Sequence, residues 1–152
     1  MTILLTLLAL ATGIVSWTLT EYLLHRFLGH VAKKLLVRTR FYKEHSKHHY
    51  IKNYFAKTGD KILTFLAIGP AGYFFAQLIV SPYYAAFYSV GFVGMYATYE
   101  IVHRRLHVAP APHSYAASMR AHHHYHHNVN ENMNLGVTVT FWDHVFGTHR
   151  SL

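Results

Sequence analysis

Three long apolar runs constrain this chain more than any other feature. Ile3 to Leu24 spans 22 residues with one charge, Glu21; Ile62 to Val80 spans 19 with none; Tyr83 to Val102 spans 20 with one, Glu100. About 20 apolar residues in a helix cross a bilayer core. A chain of 152 residues is too short to cover the last two runs as a buried hairpin of a soluble protein. The expected fold is an all-α integral membrane protein with about three transmembrane helices, forming a single membrane domain over residues 1–152. Ser81-Pro82 reads as the tight turn between the second and third runs. Gly69-Pro70 and Gly72 fall inside the second, where membrane helices tolerate a kink. The first run lacks a positively charged leader and continues well past Ala9-Leu10-Ala11, so it reads as an uncleaved helix rather than a signal peptide.

Charge supplies the orientation. Ten of the 14 Lys and Arg residues lie between the first two runs, Arg26 and then, deeper in the loop, Lys33, Lys34, Arg38, Arg40, Lys43, Lys47, Lys52, Lys57 and Lys61. Arg26 stands at the entrance to that loop, and Arg104, Arg105, Arg120 and Arg150 follow the third run. The positive-inside rule then places loop 25–61 and tail 103–152 in the cytoplasm. Anionic headgroups account for these cations, so nucleic acid is not an expected partner. Absent cysteine excludes disulfide scaffolds and Cys-ligated metals, and absent Gly-rich nucleotide motifs exclude a built-in nucleotide site.

All 15 histidines fall on the same side as the cations. Ten form four groups: His25 and His30 in HRFLGH; His45, His48 and His49 in HSKHH; His103 and His107 in HRRLH; His123, His126 and His127 in HHHYHH. The HxxHH spacing occurs twice. On a helix, positions i, i+3 and i+4 share a face, so each HxxHH converges. His25 and His30 are five apart, which an unbroken α-helix sends to different faces. Either one lies at the helix end or the helix is distorted there. Ten imidazoles exceed the four to six ligands of one ion, and two metals with about five each is the economical reading. Imidazole suits iron, zinc, copper and nickel alike. Glu44, Glu100, Glu131 and Asp143 are the nearby carboxylates, expected to accept imidazole N–H bonds rather than bind metal; Glu44 reads equally well as a solvated loop charge. His113, His122, His124, His144 and His149 stand outside the pattern as structural residues. Trp142 and Phe146 read as packing, and Asp143 as either an imidazole orienter or a turn cap.

These motifs resemble the fatty acid hydroxylase/sterol desaturase superfamily. WTLTEYLLHRFLGH (Trp17 to His30) is similar to the first histidine box of fatty acid 2-hydroxylases, and NLGVTVTFWDHVFGT (Asn134 to Thr148) to the stretch after their last box. The resemblance implies a cytoplasmic, histidine-rich helical cap holding a dimetal centre, with His25, His30, His45, His48, His49, His103, His107, His123, His126 and His127 as ligands. It further implies that one metal takes His25, His45, His49, His123 and His127, and the other His30, His48, His103, His107 and His126. Family members usually have four spans, against three here. Bacterial β-carotene hydroxylases are similarly small and share the boxes, but differ after the last one.

The implied activity is O2-dependent hydroxylation of an unactivated C–H bond in a lipid, most simply a fatty acyl chain. The implied cofactors are two iron ions, with zinc able to replace them during purification. Sterol or carotenoid hydroxylation or desaturation on the same centre is the alternative, as is a non-enzymatic metal transporter or store. The chain carries no haem or flavin motif, so electrons are expected from a small cytochrome or ferredoxin with its reductase. An acidic carrier suits the cationic loop. Gly91 and Gly94 are either helix-packing positions or a lateral entry for lipid.

Overall fold

The computed structural model describes residues 2–31, 39–51 and 53–151. Lys33, Lys34, Arg38 and Lys52 of the basic loop lie outside the described residues. Six α-helices follow in order: α1 Thr2–Leu23, α2 Arg40–Tyr50, α3 Thr58–Ala76, α4 Pro82–Val108, α5 Ser114–Asn128 and α6 Phe141–Val145. A π-helical segment, Leu24–His30, continues α1. The chain divides into two compact units, Met1–Thr18 with Ala56–Glu100, and Leu19–Phe55 with Ile101–Leu152.

The first unit holds most of the apolar runs. Its buried residues include Trp17, Ala76, Ala85 and Tyr96, with the Trp17 ring edge-on to Phe92 at 5.2 Å and Tyr96 at 4.9 Å. Helices α1 and α4 cross through glycines. A Cβ on Gly13 would stand 2.1 Å from the Tyr88 carbonyl oxygen, and one on Gly91 2.2 Å from that of Leu10. Gly91 is thus a packing position, because small residues let helix backbones approach, whereas nothing lies within 4 Å of a Cβ on Gly94. Gly91→Ala should destabilise the protein by about 1–3 kcal/mol through overpacking. Gly94→Ala should be neutral or gain up to about 1 kcal/mol from helix propensity. Thermal unfolding in detergent micelles distinguishes them, and equal effects would contradict the crossing.

Leu7, Leu63, Leu66, Phe74, Leu78 and Ile79 are exposed in this unit. Among the described residues, one helix, Thr2–His30, is long and apolar enough to cross a membrane by length and composition. The run Ile62–Val80 is not helical throughout. Helix α3 stops at Ala76, and residues 77–80 form turns, with the Val80 N–H bonded to the Ala76 carbonyl at 3.0 Å. Helix α4 opens on Pro82, whose missing N–H costs nothing at a first helical position. Its tyrosines lower its hydropathy, and it runs beyond the apolar stretch to include His103 and His107. Lys61 and Glu100 pair directly, joining the start of α3 to α4.

The second unit carries all four histidine groups. The Thr39 side chain caps α2, accepting from the Tyr42 N–H at 3.1 Å. His113 caps α5 in the same way, its Nδ1 accepting from the Ala116 N–H at 3.2 Å. Tyr22 is fully buried; its hydroxyl lies 2.8 Å from Thr148 Oγ1, and its ring stacks on Phe146 at 5.2 Å.

Candidate metal centre

The five-residue interval between His25 and His30 is accommodated by the π-helical segment, where the Val31 N–H reaches back to the Arg26 carbonyl. Bonds of i→i+5 type make five residues one turn, so both imidazoles reach the same group. Gly29 leaves room beside them: a Cβ there would meet the His45 ring at 2.9 Å.

The ten histidines assemble as two groups of five. His25, His30, His45, His49 and His126 form one; His48, His103, His107, His123 and His127 form the other. In each, one nitrogen per residue lies within 4.8 Å of all the others. Each HxxHH divides as the resemblance implies, with its first and last histidines in one group and its middle one in the other. The pairing between boxes differs from the partition implied by resemblance. His45 and His49 of α2 meet His126 of α5, not His123 and His127, and His25 and His30 stay together. The reason is that α5 presents His126 and the His123/His127 pair to different groups, while the π-helical turn aligns His25 with His30.

The rings are held from behind. His25 Nδ1 lies 2.6 Å from the Leu135 carbonyl, His48 Nδ1 2.7 Å from that of Tyr54, and His126 Nδ1 3.0 Å from that of Met133. A carbonyl only accepts, so each Nδ1 carries the proton and donates, leaving Nε2 as a lone pair directed into its group. Close approaches follow: His30 Nε2 to His45 Nε2 at 2.9 Å, His49 Nε2 to His126 Nε2 at 3.2 Å, and His107 Nε2 to His123 Nε2 at 2.8 Å. His25 Nε2 and His127 Nε2 are buried with no hydrogen-bond partner among the described residues.

Burial, and secondarily the neighbouring imidazoles, lower the histidine pKa values: His49 to about 3 and His107 to about 4, with His45, His123, His126 and His127 also driven down. Neutral imidazole is the metal-binding form. Converging buried lone pairs repel one another unless a cation lies among them, so this donor set fits two metal ions.

A cavity of about 320 Å³ opens beside the first group, lined by Gly29, His30, Tyr42, His45, Ser46, Tyr50 and Glu131 among others. Glu131 lies 3.7 Å from His30 Nδ1. Glu44 does not accept from an imidazole; it takes the Tyr54 hydroxyl and lies 3.6 Å from Lys47. Glu100 is engaged by Lys61. Backbone carbonyls, invisible in a sequence, hold the imidazoles where carboxylates were expected. Of the five other histidines, His122 donates from Nε2 to Asp143 at 3.1 Å, His124 from Nε2 to the Leu106 carbonyl at 3.1 Å, and His144 stacks on His149 at 3.8 Å. The residue missed in the sequence is Glu21. It reads there as a charge near a helix end, yet it is buried and bonded to residues 137 and 138.

A helical protein presenting two groups of five converging imidazoles is thereby defined. The sequence model of the fatty acid hydroxylase family matches residues 10–148, and the chain belongs to that family. It is 30% identical over 144 residues to the ceramide very long chain fatty acid hydroxylase scs7 of Schizosaccharomyces pombe, covering 92% of this chain and 42% of that protein. It is 32% identical over 143 residues to the dihydroceramide fatty acyl 2-hydroxylase FAH1 of Arabidopsis thaliana, covering 90% and 58%. A solved structure of full-length scs7p, in which only the hydroxylase domain is visible, superposes with a TM-score of 0.80 at 29% identity, covering 97% of this chain and 57% of that one. The chain thus spans about half the length of these relatives.

Proposed function

We propose that the chain is a multi-pass membrane hydroxylase that inserts one oxygen atom from O2 into a fatty acyl chain at a two-iron centre. The two groups of five imidazoles carry this reading. Iron, when bound, supplies O2 activation and attack on the unactivated C–H bond. The protein's own residues place and tune it. His25, His30, His45, His49 and His126 would hold one ion, and His48, His103, His107, His123 and His127 the other. The Leu135, Tyr54 and Met133 carbonyls fix three of the rings. The cavity beside His30 and His45 gives small molecules and protons a route to the first group. Overall, RH + O2 + 2 e⁻ + 2 H⁺ gives ROH + H2O.

The relatives' names supply the substrate class and favour the carbon next to the acyl carbonyl. The exposed apolar side chains of α3 and α4 support membrane crossing by these helices as well as α1. The cation distribution supports a cytoplasmic face for the histidines. The electrons would come from an acidic carrier, a small cytochrome or ferredoxin, with its reductase. Arg40, Lys43 and Lys47 are exposed on α2, the helix that bears His45, His48 and His49.

The test is expression in a membrane with iron and an electron donor, under 18O2, beside a His126→Ala variant. Extracted lipids should gain one labelled oxygen with the parent protein alone, at the carbon located by fragmentation. Loss of two hydrogens would mean desaturation. No product from fatty acyl lipids, sterols or carotenoids would shift the assignment to metal handling.

A further inference from the structure

Four consecutive backbone N–H groups, Leu135 to Thr138, donate to just two buried carboxylates. Leu135 N–H bonds Asp143 Oδ1 and Gly136 N–H bonds Asp143 Oδ2, both at 2.8 Å. Val137 N–H and Thr138 N–H bond Glu21 Oε1 at 2.8 and 3.1 Å, and the Thr138 hydroxyl donates to Glu21 Oε2 at 2.7 Å. Asp143 also receives the Thr148 hydroxyl at 2.7 Å and His122 Nε2 at 3.1 Å. Both carboxylates are buried, Asp143 completely. The segment so gripped has no slack: a Cβ on Gly136 would meet the Val139 carbonyl oxygen at 2.1 Å. Burial alone would raise the Asp143 pKa, but the donors from His122, Thr148, Gly136 and Leu135 outweigh it and hold the carboxyl ionised.

The same strap delivers the Leu135 carbonyl to His25 Nδ1 and the Met133 carbonyl to His126 Nδ1. Both histidines belong to the first group, whereas His48 of the second is held by the Tyr54 carbonyl, outside the strap. We infer that Asp143 and Glu21 are positioning residues for one metal only: gripping the strap, they fix the orientation and tautomer of His25 and His126. Neither carboxylate touches that group.

The chemistry of the two grips differs. Gln at position 21 preserves every bond, since its carbonyl accepts both N–H groups and its amide donates to the Thr138 hydroxyl. Asn at position 143 does not, because either placement of its NH2 sets a donor against the Leu135 or Gly136 N–H.

The inference rests on the two-metal reading, and the experiment separates them. Purified apoprotein is titrated with Co²⁺, with bound metal counted and the visible spectrum of each site followed. The parent should bind two ions. Asp143→Asn and Glu21→Leu should each weaken one ion by about 10- to 100-fold, the usual effect of losing a ligand's outer partner, and change the spectrum of that site alone. Glu21→Gln should restore both ions. Adding His126→Ala to either weakened variant should cost no second ion, whereas adding His107→Ala should. Two ions bound at parental affinity in Asp143→Asn and Glu21→Leu, or both ions weakened together, would overturn the inference. A parent that does not bind two ions would overturn the two-metal reading itself. Asp143→Asn and Glu21→Leu each carry the test alone.

Discussion

Protein carrying both His45→Ala and His126→Ala retains about one metal ion per chain, and protein carrying both His107→Ala and His126→Ala retains close to none. These are the expected results if metal binding follows the two groups that the fold assembles. The first pair removes two of five imidazoles from one group and leaves the other whole. The second pair takes one from each and opens both sites. The partition implied by resemblance gives the reverse, because it places His107 and His126 on one metal and separates His45 from His126. Elemental analysis after loading under reducing conditions decides the matter. Ring contacts such as His49 on His127 at 4.1 Å join the groups, so the surviving ion should bind somewhat more weakly than in the parent. On the proposed two-iron reading, a single variant of either group should already abolish turnover.

Complete metal removal should lower thermal stability by roughly 16–32 °C relative to protein holding two ions at a thousandfold excess of metal over Kd. The linkage is worth about 4 kcal/mol per ion under those conditions, about 8 kcal/mol for two, and 1 kcal/mol moves Tm by about 2–4 °C for a chain of this size. The loss should fall on the histidine-bearing unit, where imidazole nitrogens stand 2.8–3.2 Å apart. The metal-free form should also be acid-sensitive. His49 and His107 titrate near 3 and 4 in the folded chain against a usual 6.5. Below about pH 6.5 the unfolded chain therefore takes up protons that the folded chain refuses, and stability rises with pH wherever the unfolded state binds more. The apoprotein should hold its stability above pH 6.5 and lose it progressively as the pH falls towards 4. Melting temperatures at pH 7.5 and 5.0 measure this, and a flat profile would contradict the burial of neutral imidazoles.

Local periodicity made much of this architecture legible. The apolar runs locate α1 and α4 closely because their length and composition admit little else. The repeated HxxHH spacing showed that each set of three imidazoles converges on one helix face; the division within each came from the family resemblance, not from spacing. The odd interval between His25 and His30 left two readings, a helix end or a local distortion, and the π-helical segment is the second. What stayed hidden was whatever depends on distant segments meeting. Which box faces which is set by the arrangement of α2 and α5, not by spacing within either. The imidazole partners are main-chain carbonyls of residues 54, 133 and 135, and any residue type supplies a carbonyl. Glu21 looked like a charge near a helix end because its partners lie more than a hundred positions away. The end of α3 at Ala76 was equally opaque, as Gln77 to Val80 are apolar enough to continue a helix but close a turn instead.

The π-helical turn makes part of this protein sensitive to counting rather than to chemistry. It is an α-helix holding one residue too many, and its stored register brings His30 level with His25. Phe27 and Leu28 sit between them, half-buried or exposed, and their identities are loosely constrained. Their number is not. Adding one more residue there would swing His30 through about 100° at 3.6 residues per turn, away from its group, with every histidine still present. An alignment that scores only which residues persist would pass such a chain as intact; the spacing, not the roster, records whether the centre can form.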